Sequence, residues 1–338
     1  MRAVVISAPG RAGVDDVPEP TAGPGEIVVE VHRVGICGTD LELFRGDMPY
    51  LATGRAWYPL RPGHEWSGVV RTVGPEVDDA WLGTRVTGDT MLGCGSCERC
   101  LDGRRNLCPN LVEVGISLGF AGALAEKLVV PLDSLHRLPE TVDDEAGALV
   151  EPGGNAWRAA AAADAGPGTS VLVFGAGTIG LLAAAFARAM GADVRLVARR
   201  PDRRELAARF GIEAVPAHDE LRDAEFDAVI DATDDPTIAA LSVDLVAPGG
   251  RVVYIGLAGE PSTIDTRRLV LKEAAAAGIL SGSAGLEPAI QGYAGGMVDP
   301  RPLIAATLPL EQAPDVLAGW RPVGVAGAPK ILFDPRAR

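Results

Sequence analysis

Apolar residues follow two different rhythms along this chain, and the change comes near Glu145. Before it, short runs rich in β-branched residues stand between glycine and proline clusters: Ile27-Val-Val-Glu-Val-His-Arg-Val, Gly68-Val-Val-Arg-Thr-Val-Gly and Ala125-Glu-Lys-Leu-Val-Val-Pro. Runs of this kind predict short strands joined by turns. Met1 to Gly10 predicts a further strand running into a turn. Beyond Glu145, the stretch Ala146 to Ala165 is rich in alanine and predicts a helix. From Ser170 the pattern becomes strand, glycine-rich turn, helix, strand, helix. Val171-Leu-Val-Phe and Val194-Arg-Leu-Val-Ala predict buried strands on either side of a helix from Thr178 to Met190, with later strands at Asp227-Ala-Val-Ile-Asp and Arg251-Val-Val-Tyr-Ile-Gly. Strands that alternate with helices imply a parallel sheet covered on both faces.

A length of 338 residues suggests two domains. The net charge of −14 argues against nucleic acid as a partner, because phosphate binding needs clustered positive charge. No apolar run reaches the roughly twenty residues that cross a bilayer. The first ten residues lack the apolar core and small-residue cleavage site of a signal peptide. Free thiols without an export signal point to the cytoplasm.

Only one of the five cysteines lies outside the run Cys94-Gly-Ser-Cys97-Glu-Arg-Cys100 and the following Cys108. Scarce cysteine gathered in one short loop suits a closed tetrahedral zinc site, and thiols spaced by two residues suit a metal better than paired disulfides. The gap from Cys100 to Cys108 is too long for a ferredoxin cluster run. The metal predicted here is structural.

Gly175-Ala-Gly-Thr-Ile-Gly180 follows directly on the strand ending at Phe174 and opens a helix. In that setting Gly175 allows the tight turn, Gly177 lets the backbone approach a pyrophosphate, and Gly180 lets helix and sheet pack closely. The exposed N–H groups of Thr178, Ile179 and Gly180 at the helix start then face the phosphates. At the end of the next strand, where an NAD site carries an acid, stand Arg199 and Arg200. Guanidinium groups suit a 2′-phosphate, with Arg203 or Arg204 on the following helix in support. NADP is expected over NAD.

The remaining cysteine, Cys37, lies in Gly35-Ile-Cys-Gly-Thr-Asp; His64 and Glu65 lie in Pro62-Gly-His-Glu-Trp; Glu151 precedes Pro152. Sulfur, imidazole and carboxylate are the ligand types of a catalytic zinc, which keeps one position open. With these motifs, the four-cysteine loop and G-x-G-x-x-G in this order, the chain resembles the zinc-dependent medium-chain alcohol and polyol dehydrogenases, such as sorbitol, threonine and glucose dehydrogenases. The resemblance spans essentially the whole length.

It implies an α/β protein with a GroES-like β catalytic domain over residues 1–150, to which residues 290–338 return, and a Rossmann domain with a doubly wound parallel sheet over 151–289. The active site is expected in the cleft between them. The resemblance further implies one catalytic and one structural zinc per chain. Cys37 and His64 match ligands of the catalytic zinc, and Glu65 or Glu151 supplies a carboxylate to it. Asp40 resembles the acid that orients the ligand histidine. Thr39 matches the hydroxyl that contacts the substrate oxygen and starts proton transfer.

Two departures stand out. Glu42 occupies a place where many relatives have histidine, as in sugar dehydrogenases of the group. Gly153-Gly154 replaces larger residues, which is expected to widen the cleft.

The implied reaction is hydride transfer between NADP and a secondary alcohol or ketone of a polyol, sugar or cyclitol, in a homodimer or homotetramer. A simple apolar alcohol or aldehyde as substrate, and a zinc-free quinone or enoyl reductase, are the alternatives. A nucleotide sensor with a zinc loop is a further one, disfavoured because a sensor needs no open metal position. Glu42, Arg55 and Glu65 suggest a polar substrate pocket, whereas Trp57, Tyr58, Trp66 and Phe120 suggest an apolar one.

Overall fold

The structure, a computed structural model, describes residues 1–221, 224–322 and 327–337. The described residues form two compact units. The first holds residues 1–151, 304–322 and 330–337, and the second holds 152–221, 224–303 and 327–329.

The first unit is built on strand Glu26–Gly35. Its first half pairs with Lys127–Pro131, and its far end pairs with Lys330–Asp334. Along its other edge runs Glu65–Val73, followed in the sheet by Arg85–Gly88 and Leu135–Arg137, while Ile304–Pro309 extends the sheet beyond Lys330–Asp334. Alternation along Glu26–Gly35 sends Ile27, Val29 and Val31 into a core shared with Leu124, Leu128 and Phe333. The register decides the chemistry. Gly35 stands opposite Glu65 on one side and Leu332 on the other, so three segments distant in sequence meet at one end of the strand.

The helix expected from Ala146 to Ala165 is two helices, Asp144–Ala148 and Val150–Ala162. Pro152 is the reason: without an N–H it cannot donate to the carbonyl four residues back, so it fits the first turn of a new helix but not the interior of a longer one. Asp143 caps the first helix by accepting from Ala146 N–H at 2.8 Å.

The second unit has a six-stranded, wholly parallel sheet in the order Glu213–Val215, Asp193–Val197, Ser170–Phe174, Phe226–Asp231, Val246–Tyr254, Ala275–Gly278. In chain order this reads third, second, first, fourth, fifth, sixth. It is the doubly wound arrangement whose switch point lies beside the first strand. The unit keeps the chain through Leu303, past residue 290. Helix Leu286–Ala294 holds it there by burying Leu286, Ala289, Ile290 and Tyr293, with the Tyr293 ring stacked on Phe186 at 5.9 Å. Gly153 and Gly154 serve this packing. A Cβ on Gly153 would fall 2.2 Å from the Tyr293 hydroxyl, and one on Gly154 would fall 2.9 Å from the Gly282 carbonyl. These glycines let helices approach, which corrects the expectation that they widen a cleft. Among the described residues no helix is long and apolar enough to cross a membrane.

Candidate functional site

Cys37 ends the loop after strand Glu26–Gly35 and precedes helix Gly38–Arg45; Glu65 opens the neighbouring strand Glu65–Val73, and His64 stands just before it. The pairing of these strands brings Cys37 Sγ, a His64 ring nitrogen and a Glu65 carboxylate oxygen within 4.8 Å of one another. His64 and Glu65 are buried. Asp40, fully buried, fastens the two loops together: its Oδ2 accepts from Cys37 N–H at 2.8 Å and its Oδ1 accepts from Gly63 N–H at 3.0 Å. Oδ1 also faces His64 Nδ1 at 3.6 Å. Burial acts to raise the Asp40 pKa, but the imidazole and the two N–H groups outweigh it and hold the carboxyl below its usual range. Burial likewise acts against the charged imidazole. The Asp40 charge and the Cys37 sulfur prevail and push the His64 pKa well up. A buried site that draws positive charge this strongly, with sulfur, nitrogen and oxygen donors converging, fits a divalent zinc.

The structure adds a residue that the motifs do not reveal. Lys330, buried on the strand from the C-terminal segment, donates from Nζ to Glu65 Oε1 at 2.8 Å, to Oε2 at 2.6 Å and to the Ile36 carbonyl at 3.2 Å. Burial acts to lower the ammonium pKa, yet the carboxylate beside it and the neighbouring Cys37 and Asp40 leave it raised. Gly35 makes the space: a Cβ there would stand 2.5 Å from Glu65 Oε2. Glu65 therefore faces two cations, the lysine and any metal at Cys37 and His64.

Glu151 is buried at the head of helix Val150–Ala162 but does not join the set of donors within 4.8 Å. Thr39 is half-buried on the first turn of helix Gly38–Arg45, with Glu42 three residues on. That spacing puts both on one face. Burial, helped by Asp47, pushes the Glu42 carboxyl up.

The pocket residues sort differently from expectation. Arg55 is engaged with the Leu111 carbonyl at 2.8 Å and the Glu113 carboxylate at 3.3 Å. Tyr58 donates its hydroxyl to the Leu43 carbonyl at 2.6 Å, and Trp66 belongs to the core. Glu65 is likewise held by Lys330. Trp57 remains exposed and Phe120 half-buried.

The four-cysteine loop forms a second cluster, with all four sulfurs within 4.8 Å and none in a disulfide. Cys97 Sγ and Cys108 Sγ stand 3.8 Å apart. Zinc–sulfur bonds of about 2.3 Å in a tetrahedron place sulfurs about 3.8 Å apart, whereas a disulfide needs about 2 Å. Cys108 Sγ accepts from the N–H groups of Cys94 and Asn110, both at 3.3 Å. The Ser96 hydroxyl and nearby N–H groups pull the Cys94 thiol down to about 5, while burial pushes Cys100 up to about 11. Gly93 leaves room for the cluster, since a Cβ there would lie 2.6 Å from Cys100 Sγ. Replacing Cys100 with serine is expected to lower the melting temperature by several degrees, at about 2–4 °C per kcal/mol for a unit of this size. Thermal unfolding with and without a chelator checks this; unchanged melting combined with lost turnover would exclude a structural role.

At the switch point of the parallel sheet, the glycines meet the demands of a phosphate loop one by one. Gly175 has φ +97°, and its Cβ would crowd the Ala232 carbonyl at 2.6 Å. A Cβ on Gly180 would stand 1.8 Å from the Gly175 carbonyl. Gly177 faces open space, with nothing within 4 Å of its missing Cβ. Thr178 and Ile179 begin the helix behind it. A cavity of about 690 Å³ opens here, lined by Gly175, Gly177, Arg199, Arg200, Arg203 and Thr233 among others. Arg204 does not line it; its Nη1 donates to the carbonyls of Ala198 and Arg199, each at 2.9 Å.

Residues 23–140 match the alcohol dehydrogenase GroES-like domain, and residues 178–294 match the zinc-binding dehydrogenase domain. An L-threonine 3-dehydrogenase from Saccharopolyspora erythraea is 36% identical over 291 residues, covering 82% of this chain and 83% of the relative. The chain belongs to the zinc-dependent medium-chain alcohol dehydrogenases. Its fold matches that of an alcohol dehydrogenase from Escherichia coli solved with NADH, at a TM-score of 0.90 and 27% identity over 99% of both chains. It equally matches a protein from Sinorhizobium meliloti described as a zinc-binding dehydrogenase and bound to NADP, at a TM-score of 0.90, 30% identity and 99% of both chains. This medium-chain dehydrogenase is thus a GroES-like unit joined to a Rossmann unit, and an oxidoreductase of the CH–OH class that uses zinc and a nicotinamide cofactor.

Proposed function

We propose that this dehydrogenase transfers hydride between NADP and a secondary alcohol, or its ketone, on a polyol, sugar or cyclitol. The observation that carries the reading is the buried convergence of Cys37, His64 and Glu65, fastened by Asp40. Cys37 and His64, with Glu65 or Glu151, would hold a catalytic zinc, and Cys94, Cys97, Cys100 and Cys108 a structural one. When bound, the zinc supplies Lewis acidity that eases loss of the substrate's hydroxyl proton, and the nicotinamide supplies the hydride acceptor. Asp40 faces the imidazole on its Nδ1 side at 3.6 Å and would orient the ring so that Nε2 meets the metal. Thr39 hydrogen-bonds the substrate hydroxyl and passes its proton outward. Glu42, on the same helix face with its carboxyl pushed up, stands next on that route.

Tyr58 and Trp66 are tied into the fold, as Arg55 and Glu65 are, so the polar-substrate reading rests on Glu42, half-buried one helical turn from Thr39. Residues 1–150 with the returning C-terminal segment act as the catalytic domain, and 151–289 as the cofactor domain. Free thiols support a cytoplasmic setting. A second reading, an amino alcohol such as L-threonine, is favoured by the threonine dehydrogenase relatives. The test is NADP and NAD reduction with a panel of polyols, sugars, aminocyclitols, L-threonine and simple alcohols. Turnover confined to simple alcohols would overturn the polar-substrate reading.

The edge of the parallel sheet supports a homodimer, alone or within a tetramer. All four residues of strand Ala275–Gly278 are exposed, as are Val270 at 78% and Leu271 at 85% just before it. Open N–H and carbonyl groups on such an edge are matched by the same edge of a second copy run antiparallel about a two-fold axis. Light scattering is expected to give a dimer or tetramer, and Ala276→Asp to reduce it by halves. A monomeric wild type would rule this surface out.

A further inference from the structure

Helix Val150–Ala162 carries an arginine, Arg158, that does not line the cofactor cavity. Its Nη1 donates to the carbonyls of Leu280 and Ser281, both at 2.5 Å. These carbonyls belong to the loop that leaves strand Ala275–Gly278, the last of the parallel sheet. Two glycines bring the helix and this loop together. A Cβ on Gly154 would fall 2.9 Å from the Gly282 carbonyl. One on Gly285 would fall 2.2 Å from the Gly154 carbonyl and 2.9 Å from Arg158 Cγ. Arg158 thus packs along the loop as well as bonding to it.

The gripped loop has an uncommon backbone. Buried Ser281 has φ +66°, in the left-handed region, and Gly282 returns to right-handed helical angles at φ −83° and ψ −11°. A residue with a Cβ keeps a positive φ only where its surroundings impose it. Here Arg158 holds the Ser281 carbonyl, and the Ser281 hydroxyl stands 3.2 Å from that of Ser283. Left- and right-handed residues in succession turn their N–H groups to one side, a concave donor patch that suits an oxygen. Among the described residues the N–H groups of Ser281 and Gly282 meet no acceptor. The loop's place in the sheet indicates the ligand. The cavity runs from Pro216 and Ala217, after the third strand, to Thr233, Gly256 and Leu257, after the fourth and fifth. Ile279 N–H donates to the Tyr254 carbonyl at 2.9 Å, so Leu280 and Ser281 continue that row beyond the sixth. A dinucleotide spans such a crevice with its pyrophosphate at the first strand. With its adenosine toward the second and third strands, its nicotinamide extends toward the last.

We propose that Arg158 is a positioning residue for hydride transfer: by gripping Leu280 and Ser281 it holds the loop in the shape that orients the nicotinamide. The assignment rests on the hydride-transfer reading above and is the same for NADP and NAD. Arg158 itself touches no cofactor. It fixes the Ser281 carbonyl, which keeps Ser281 at its positive φ and the two N–H groups turned to one side. Arg158 also shares a helix face with Glu151, two turns earlier. One stiff helix thus spans the roughly 10 Å between a carboxylate offered to zinc and the arginine that sets the loop. Slip of the loop would move the ring carbon that accepts hydride, and misplacement by about 1 Å is enough to slow such a step about a hundredfold.

The experiment compares whole cofactors with their adenosine halves on the whole enzyme. Binding is measured by fluorescence for NADPH and NADH and by calorimetry for adenosine 2′,5′-bisphosphate and 5′-AMP, beside kcat and KM for the best alcohol of the panel. Arg158→Met is expected to weaken the reduced cofactor that wild type binds by about tenfold, the worth of one or two backbone hydrogen bonds. The matching adenosine half is expected to bind within about twofold of wild type. The kcat is expected to fall about a hundredfold with the alcohol KM little changed. Arg158→Lys, whose ammonium reaches the same carbonyls, is expected to recover part of both losses. Arg158→Gln, a shorter and neutral donor, is expected to show the same split and serves if the methionine variant does not fold. Unchanged cofactor binding and kcat, or a cofactor and adenosine half weakened alike, overturns this assignment alone. A wild type that binds neither reduced cofactor overturns the hydride-transfer reading, and this assignment with it.

Discussion

Cys37→Ser is expected to remove turnover while leaving the fold and the four-cysteine metal in place. Cys37 supplies the sulfur of the buried donor trio, and its backbone N–H is one of the two fastenings of Asp40. Serine keeps that N–H, so Asp40 stays placed and the loop keeps its course. What is lost is the thiolate, the donor that binds zinc most firmly in a mixed site. A metal that polarises a substrate oxygen supplies several kcal/mol, at about 1.4 kcal/mol per decade of rate, so kcat/KM should drop by about a thousandfold or more. Zinc analysis should show the loss of one metal per chain, and melting should move far less than in Cys100→Ser. Near-normal kcat/KM with that metal gone would show that the Cys37 site is not the catalytic one.

Lys330→Met is expected to be among the most destabilising single changes in the first unit. Lys330 and Glu65 are both buried, and the ammonium makes contact with both carboxylate oxygens. In protein stripped of zinc, removing one partner of this buried pair leaves the other charge uncompensated, which costs about 3–5 kcal/mol. Lys330→Arg should recover part of the loss. The pH sign follows from the lysine's folded pKa lying above its ordinary 10.5. Its contribution is complete below that ordinary value and is lost as pH rises through the folded one. Denaturant unfolding of wild type and Lys330→Met should therefore converge only at strongly alkaline pH. Equal stability of the zinc-free proteins at neutral pH would mean that the Lys330–Glu65 pair does not hold the first unit together.

What could be read from the residues was the chemistry written in local runs. The glycine loop, the cysteine loop and the G-H-E segment each act through neighbours a few residues apart, so spacing alone exposes them. Lys330 escaped because its partner lies 265 residues away, and only the register of Gly35 with both Glu65 and Leu332 brings them together. Strand Ala275–Gly278 carried no β-branched residue and gave no strand signal. The break at Leu149 was signalled by Pro152, but the alanine-rich composition around it pointed to one helix. Among the arginines, sequence placed all four near the cofactor, but which of them hydrogen-bond to the protein's own carbonyls is a matter of side-chain path. Arg204 and Arg203 are adjacent in the chain and opposite in availability.

The most direct test of the account is activity against zinc occupancy. The purified enzyme is dialysed stepwise against a chelator, and bound zinc and alcohol-dependent NADP reduction are measured at each step. The account predicts two zinc per chain at the start, one at each of the two donor clusters. Activity should fall in proportion to the loss of the one from the open Cys37 site and return when zinc is added back. Full activity after that metal has left, or a starting content of one zinc per chain with full activity, would contradict it.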